Sequence, residues 1–285
     1  MKELNNYPLN KEQLDREYEQ LHITNRFMFN KVMSDKKLCS KVLQCLTGKE
    51  ISEIKSIVTE NCIEITEDSR GVRYDVYVED ADDRVFDAEM QNFKNNGEMP
   101  LRSRYYQSMI DLVMMSSGQR FTKLKESYVI FICNFDPFGI GERCYEFSNR
   151  SGDTGEVALG DKRSIIIYNI AGKPNKLHPE ANEFLDYAKD GTITGSLADI
   201  LDGAVKDARH NKEWRAEYMM HMAYYWDVID EGREIGIEEG EAKLLVEHVN
   251  RYMNNTGASL EDTLKLLGET MDDYLKAKEI VEQNA

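Results

Sequence analysis

The sequence predicts an α/β fold in which a mixed β-sheet core is flanked by helices and followed by a helical C-terminal extension. The first indication is a pair of segments, residues 74–78 and 84–91, in which apolar and polar side chains alternate as in two antiparallel strands. The second is the continuous apolar run 127–135, which is typical of a strand buried on both faces. A further apolar run at 164–170 predicts another strand.

Helices and strands are also predicted on the N-terminal side of the hairpin. Residues 24–46 carry apolar side chains at helical spacing, with a break near Ser34 and an end at Gly48. Residues 1–19 predict a polar arm or helix, and residues 51–65 predict one or two strands that lead into the hairpin.

Two helical regions follow the hairpin. Residues 101–117 predict a helix closed by Gly118, and residues 184–226 are helical by composition. In the second region aromatic and methionine side chains recur every three or four residues, a spacing that indicates packing rather than a ligand site.

The predicted hairpin places several polar groups on one face of its second strand. Because side chains alternate along a strand, Asp87, Glu89 and Gln91 share a face, and Phe86 and Met90 lie on the other.

The register decides which acids meet. If a loop spans residues 81–83, Asp80 pairs with Arg84 and Asp75 lies opposite Glu89, with Cβ atoms about 5 Å apart. Two like charges at that distance are destabilising, so the pair needs a compensating cation, such as Mg²⁺ or Mn²⁺. The alternative is an ordinary hairpin whose acids line a solvent-exposed face.

The motifs in their order resemble those of the recombination-promoting nuclease/transposase family, which belongs to the PD-(D/E)xK, restriction-endonuclease-like superfamily. The resemblance covers roughly residues 20–210. It is carried by Ala88-Glu89-Met90-Gln91 after an acidic turn, then Arg102-x-x-Tyr105-Tyr106, then the run from Tyr128 to Gly139.

The resemblance implies a restriction-endonuclease-like sheet and a metal-dependent DNA endonuclease. On this basis Asp75 matches the metal-binding aspartate and Glu89 the second acid, and with the Met90 carbonyl they would hold Mg²⁺ or Mn²⁺. Gln91 takes the position usually held by lysine, as is common in this family. Because Gln carries no charge, it can only orient water or phosphate by hydrogen bonds.

Two positions depart from the wider pattern. Asn25 stands where the entering helix commonly carries an acid, so a third acidic ligand is not expected there. Arg102 stands where a glutamine is frequent, four residues before Tyr106 and therefore on the same helix face. Arg102, Tyr106 and Arg73 are the candidates for substrate binding; the alternative for Arg102 is an exposed arginine beside a packed tyrosine.

Other classes of protein lack support. The five cysteines form no C-x-x-C pair and no Cys/His cluster with zinc spacing, and they are expected to be reduced. No Walker, dinucleotide or Gly-x-Ser-x-Gly motif is present. The sequence has no apolar run long enough to span a membrane and no signal core at its start, so we expect a cytoplasmic protein without membrane contact.

The net charge of −16 opposes strong nucleic-acid binding. Any basic surface must be local, so DNA binding is expected to be weak, salt-sensitive and of low sequence specificity. The candidate basic side chains are Arg70, Arg73, Arg102, Arg104, Arg120, Lys123 and Lys125. The alternative is that these side chains form an ordinary solvated surface.

The chain is expected to divide into an arm over residues 1–19, a nuclease-like domain over residues 20–228 and a C-terminal module over residues 229–285. The module opens with glycines at 232, 236 and 240, a stripe that would let another helix approach, so a homodimer through the C-terminal helices is one prediction. The alternative is a weakly stable connector, since each glycine costs about 1 kcal/mol relative to alanine.

Two short helices are predicted at the C-terminal end, starting with the capping sequences at Ser259 and Thr270 and separated by Gly268. Asp272 and Asp273 at the start of the second helix would face phosphates with the wrong sign. A packing or oligomerisation module is therefore favoured over a DNA-binding helix-turn-helix.

Three functions remain open from the sequence. The favoured one is a Mg²⁺-dependent DNA endonuclease that uses Asp75, Glu89 and Gln91. The second is a catalytically inactive scaffold that keeps the nuclease fold, which Gln91 and Asn25 would explain. The third is an RNA-directed nuclease that shares the same site.

Overall fold

The computed structural model describes residues 10–63, 70–94, 97–174 and 176–283. Within them the helices are α1 Lys11–Gln20, α2 Arg26–Met33, α3 Lys36–Thr47, α4 Met99–Met114, α5 Ala181–Asp190, α6 Ser196–His210, α7 Lys212–Thr256, α8 Leu260–Leu267 and α9 Met271–Gln283. The strands are β1 Ile54–Ile63, β2 Val72–Asp80, β3 Val85–Gln91, β4 Ser127–Cys133, β5 Cys144–Phe147 and β6 Arg163–Asn169. The predicted start of the N-terminal arm, residues 1–9, and the predicted strand positions 64–65 lie outside the described residues.

The strands form one mixed sheet in the order β1-β2-β3-β4-β6-β5. The first three strands are an antiparallel meander, whereas β3, β4 and β6 run parallel. Strand β5 pairs antiparallel with β6 at one edge and was not predicted, because four residues with little alternation give a weak signal. The predicted fold class, a mixed sheet flanked by helices with a helical C-terminal region, is confirmed.

Helices cover both faces of the sheet. Phe131 and Ile167 occupy paired positions on β4 and β6 and pack in the same cluster as Met109 and Ile110 of α4. Tyr168 follows Ile167 and so faces the other way, where its hydroxyl donates to the Leu46 carbonyl at the end of α3. Since all seven residues of β4 are buried, the prediction of a central strand covered on both sides is correct.

Two predicted helix boundaries are confirmed near the N-terminal end. Helix α2 ends at Met33 and α3 begins at Lys36, which places the break at the predicted Ser34. Gly48 caps α3 in the left-handed conformation at φ 62°, which glycine adopts without a Cβ penalty.

The chain divides into two compact units, one spanning residues 12–215 and the other including residues 216–283. The sheet and α1–α6 form the first unit. In the second, Val249 of α7, Leu264 of α8 and Tyr274 of α9 make a small apolar core.

The predicted caps of this second unit are present. Ser259 accepts a hydrogen bond from the Asp262 backbone N–H at 3.1 Å, and Thr270 accepts one from the Asp273 backbone N–H at 3.1 Å. Gly268 closes α8 in the left-handed conformation, as predicted. No helix in the described part of the chain is both long enough and apolar enough to cross a membrane.

Candidate active site

The β2–β3 hairpin has the register that the sequence predicts. Its paired positions run from Glu79 with Val85 to Val76 with Ala88. At the loop, the Asp80 backbone N–H donates to the carbonyl of Arg84 at 3.1 Å. The next position along this register brings Asp75 to Glu89.

At Asp75 and Glu89 the two strands exchange side-chain hydrogen bonds. The Asp75 backbone N–H donates to Glu89 Oε1 at 2.7 Å. The Met90 backbone N–H donates to Asp75 Oδ2 at 3.0 Å. Each carboxylate is therefore held by the backbone of the opposite strand, an arrangement that fixes the positions of both acids.

Two arginines from different helices neutralise the two acids. Arg26, the first residue of α2, forms an ion pair with Asp75 Oδ1. Arg102 of α4 lies 3.2 Å from Glu89 Oε2. The compensating charge that the acidic pair requires is thus present in the protein itself.

Arg102 is at the centre of a hydrogen-bond network. Its Nη1 donates to Gln91 Oε1 at 2.8 Å, and its Nη2 donates to the Tyr106 hydroxyl at 2.6 Å. The guanidinium also lies 4.9 Å from the centre of the Tyr106 ring, a favourable cation–π contact. The Gln91 Nε2 atom donates to Glu89 Oε2 at 3.4 Å, and this hydrogen bond completes the network.

The acids do not line an open surface. Asp75 is 1% exposed and Glu89 is 0% exposed, so the alternative of an ordinary hairpin whose acids line a solvent-exposed face is wrong. The physical reason is that α4 packs on this face of the sheet, where Phe131 of β4 occupies the position beside Glu89. An alternating pattern shows which side chains share a face, but not what covers that face.

Asp87 is the third acid on this face, two residues before Glu89 on the same strand. It is fully buried, and neither of its carboxylate oxygens receives a hydrogen bond from the described residues. Buried carboxylates in folded proteins are ordinarily paired or bound to a cation. Asp87 is therefore a buried carboxyl group beside Glu89 whose two oxygens have no hydrogen-bond partner among the described residues.

Burial controls the ionisation of all three acids. It raises the pKa of Glu89 to about 8, with the neighbouring Asp75 carboxylate adding to the rise. Burial also raises the pKa of Asp75, against the opposing effect of Arg26. The pKa of Asp87 lies well above its usual range because of burial and then the nearby Glu89.

The N-terminal segment before α2 is tied to the end of β3. Asn25 caps α2, and its Oδ1 accepts from the backbone N–H groups of Phe27 at 3.0 Å and Met28 at 3.3 Å. Asn92 donates to the Thr24 carbonyl at 2.7 Å. Asn25 thus has a structural role in placing the neighbouring Arg26, which explains why a polar, helix-capping residue suits this position.

The remaining predicted site residues are less closely involved. Tyr106 is 7% exposed, and its ring packs against Tyr74 and Phe131, so only its hydroxyl reaches the site, through Arg102. Arg73 is exposed on β2, and none of the contacts that hold the two acids in the described part of the chain involves it.

Sequence reasoning missed Arg26 and did not assign a role to Asp87. For Asp87 the signal was available, since period two places it on the face of Glu89. For Arg26 no local signal exists, because its contact with Asp75 joins residues 49 positions apart in the chain.

The sheet is mixed, and each strand of the β2–β3 hairpin carries one acid of the site. A polar side chain follows two positions after the second acid. These features define a protein of the restriction-endonuclease-like, PD-(D/E)xK class. Within that class, the family model of the PD-(D/E)XK nuclease family transposases matches residues 25–166, and through this domain the chain belongs to that family. No match was found among curated proteins or among solved structures. Membership supports a nuclease- or transposase-like function and implies a DNA substrate.

Nucleases of this class generally use divalent metal ions, and the donor atoms of the site suit a hard cation. Asp75 and Glu89 supply carboxylate oxygens, and the unsatisfied oxygens of Asp87 lie beside them. No three acidic, histidine or cysteine side chains within the described ranges already converge as a ligand cluster. The donor atoms are therefore of the type that a divalent cation prefers. The positive charges paired with Asp75 and Glu89 in the structure are those of Arg26 and Arg102.

Proposed function

We propose that the protein is a metal-dependent DNA endonuclease that hydrolyses phosphodiester bonds. Asp75 and Glu89 are the acids of its active site. The observation that carries the proposal is the pair of buried acids, each held by a hydrogen bond from the opposite strand and each paired with one arginine. Keeping such acids ionised in the fold is costly, which points to a functional rather than a structural reason for their burial.

In this proposal Asp75, Glu89 and the Met90 carbonyl hold Mg²⁺ or Mn²⁺. The ion would supply a water of lowered pKa and would polarise the scissile phosphate. Because Arg26 pairs with Asp75, binding of the ion would compete with that pair.

The protein's own side chains would orient the substrate. Gln91 accepts from Arg102 through its Oε1, and one N–H of its amide donates to Glu89, which leaves the second N–H to orient a water or a phosphate oxygen. Arg102 is partly exposed and can donate to a phosphate, while Tyr106 holds its guanidinium in place and acts as a positioning residue. Arg73 would contact the DNA backbone outside the site.

The test is cleavage of supercoiled plasmid with Mg²⁺, with Mn²⁺ or with EDTA, using the wild-type protein, Glu89→Gln and Glu79→Gln. Glutamine is preferred over alanine at position 89 because the side chain is buried and accepts the Asp75 N–H. Glu79 lies on the same hairpin but is about one-third exposed, and it therefore serves as the matched control.

We expect metal-dependent nicking by the wild-type protein and by Glu79→Gln, with a loss of at least about 100-fold in Glu89→Gln. Circular dichroism must show the same fold for all three proteins. Equal cleavage by the wild type and Glu89→Gln would contradict the proposal.

An inactive scaffold is the second candidate, favoured by the full pairing of the acids with Arg26 and Arg102. It predicts no Mn²⁺ binding at millimolar metal, which electron paramagnetic resonance can measure. An RNA-directed nuclease would use the same site. Comparing the cleavage of RNA and DNA oligonucleotides of the same sequence distinguishes it from a DNA endonuclease.

Two further expectations stay predictions. The homodimer through the C-terminal helices can be tested by sedimentation velocity. Within the described part of the chain, no atom lies within 4 Å of a Cβ group added at Gly232, Gly236 or Gly240. The cytoplasmic location is tested by fractionation of cells that express the chain.

A further inference from the structure

The C-terminal unit contains a groove that is lined by both apolar and acidic side chains. The groove lies along α7 and α9 next to the end of α8 and has a volume of about 590 Å³. Its apolar lining includes Leu244, Leu245, Leu267 and Ile280. Leu244 is 54% exposed and Leu267 is 40% exposed, so part of this lining is available to another molecule.

The charged side chains that line the groove are mostly acidic. Among the described residues four acids line the groove, Glu238, Glu241, Glu269 and Asp273, against a single lysine, Lys276. Lys276 lies 3.6 Å from Glu238 and so offsets one of these acids. His248 is the remaining titratable group of the lining. The surface thus combines apolar side chains with excess negative charge.

The charge of the chain is concentrated in the same region. Residues 216–285 contain sixteen acidic and six basic side chains, a net charge of −10 out of the −16 of the whole chain. A second copy of this unit would bring the same excess of negative charge to the groove, which disfavours self-association there. A basic partner is favoured instead.

We propose that this groove binds an amphipathic helix of a partner protein, with an apolar stripe seated between α7 and α9 and with lysine or arginine side chains along its edges. An amphipathic helix laid in an apolar groove is a common mode of peptide recognition, in which residues at i, i+3, i+4 and i+7 supply the anchors. The acids that line the groove select for basic flanks on the partner helix and speed the encounter. This inference is independent of the nuclease proposal, because it uses none of the residues of that site.

The test uses the full chain and two labelled peptides of about 18 residues, long enough to form a helix on binding. One peptide places leucines at i, i+3, i+4 and i+7 among lysines, and the other has the same composition in an order that spreads the leucines around the helix. Fluorescence anisotropy at near-physiological ionic strength measures both affinities. We expect the amphipathic peptide to bind at least about tenfold more tightly.

Two leucines provide a matched pair of variants. Leu244 lines the groove and Leu275 of α9 does not, yet both are 54% exposed. We expect Leu244→Gln to weaken binding of the amphipathic peptide about tenfold, and Leu275→Gln to change it less than about twofold. Equal effects of the two substitutions, or equal binding of the two peptides, would overturn the proposal.

A second pair of variants tests the charge of the groove without altering its apolar side chains. Glu241→Gln with Asp273→Asn removes two acids from the groove, and Glu261→Gln with Asp272→Asn removes two that do not line it. Only the first pair is expected to weaken binding, and equal weakening by both would reduce the interaction to non-specific attraction. Sedimentation velocity completes the test: a wild-type dimer that Leu244→Gln dissociates would place a second copy in the groove and overturn the proposal.

Discussion

At the scale of single residues, the site is defined by acids that are buried and only partly compensated. Glu89 accepts from the Asp75 backbone and faces Arg102, whereas Asp87 has neither a donor nor an ion pair in the described structure. Replacing a buried acid by its amide therefore has opposite effects on function and on stability. Activity depends on the negative charge of the carboxylate, but burying that charge lowers the free energy of unfolding.

Glu89→Gln should make the metal-free protein more stable at alkaline pH. The folded pKa of Glu89, about 8, lies above the unfolded value of roughly 4.3, so the folded state binds the extra proton and wild-type stability falls as pH rises between those values. Because glutamine does not ionise, the stability of Glu89→Gln does not fall in this way. Thermal unfolding with EDTA should show a difference in Tm that grows by several degrees from pH 5 to pH 9, since about 1 kcal/mol moves Tm by ~2–4 °C in a protein of this size.

The control for this pH dependence is Glu79→Gln, which replaces a partly exposed acid of the same hairpin. Its Tm should follow the wild-type curve at every pH. If the curves of Glu89→Gln and the wild type stay parallel, the carboxyl group of Glu89 does not titrate in this range and the predicted linkage is wrong.

Asp87→Asn should also raise stability at neutral and alkaline pH. The raised pKa of Asp87, which results mainly from burial, means that ionisation opposes folding. An amide avoids that cost and can donate to the neighbouring Glu89. Urea unfolding at pH 8 should give a larger free energy of unfolding for Asp87→Asn than for the wild type, while the exposed control Asp82→Asn stays within ~0.5 kcal/mol.

At the scale of elements, helix α2 and the hairpin meet through a cap. Asn25 satisfies two backbone N–H groups of the first turn of α2, and the next residue, Arg26, pairs with Asp75. The helix start is thus part of the site's electrostatics. The sequence indicated Asn25 as a departure from the family pattern, and the structure gives that departure a physical role.

Asn25→Ala should lower the free energy of unfolding by about 1 kcal/mol, because it leaves helix N–H groups without an acceptor. Asn25→Asp should stay near the wild-type value, since aspartate caps as well as asparagine. Urea unfolding monitored by circular dichroism measures both. Equal stability of Asn25→Ala and Asn25→Asp would show that the cap contributes little.

At the scale of the whole molecule, charge is distributed unevenly. Residues 1–215 carry a net charge of −6 and residues 216–285 carry −10. The family's domain, residues 25–166, lies entirely within the less acidic part. The overall charge therefore opposes DNA binding less than its total suggests, although the affinity should still depend strongly on salt.

The logarithm of the DNA affinity should fall linearly with the logarithm of the salt concentration, by about 0.7–0.9 per phosphate contacted. Arg102→Gln should weaken binding and reduce the slope by about 1, because one phosphate contact is lost. Arg16, an exposed arginine of α1 paired with Glu12, provides the control Arg16→Gln. Fluorescence anisotropy with Ca²⁺ in place of Mg²⁺ measures the slopes, and an unchanged slope in Arg102→Gln would remove Arg102 from the DNA contact.

The sequence by itself determined the hairpin, its register and the faces of its side chains, because period two and loop length are local properties of the chain. It also determined the breaks and caps of α2, α3, α8 and α9, which depend on residues within one helical turn. The family followed from the order of these motifs.

Only the tertiary structure decided what covers the acidic face and which cations reach it. Burial of Glu89 requires the packing of α4 on the sheet, and the pairing of Asp75 requires α2 to bring Arg26 from a distant part of the sequence. The C-terminal groove likewise exists only where α7, α8 and α9 come together. Such contacts depend on how elements pack, and local periodicity carries no information about them.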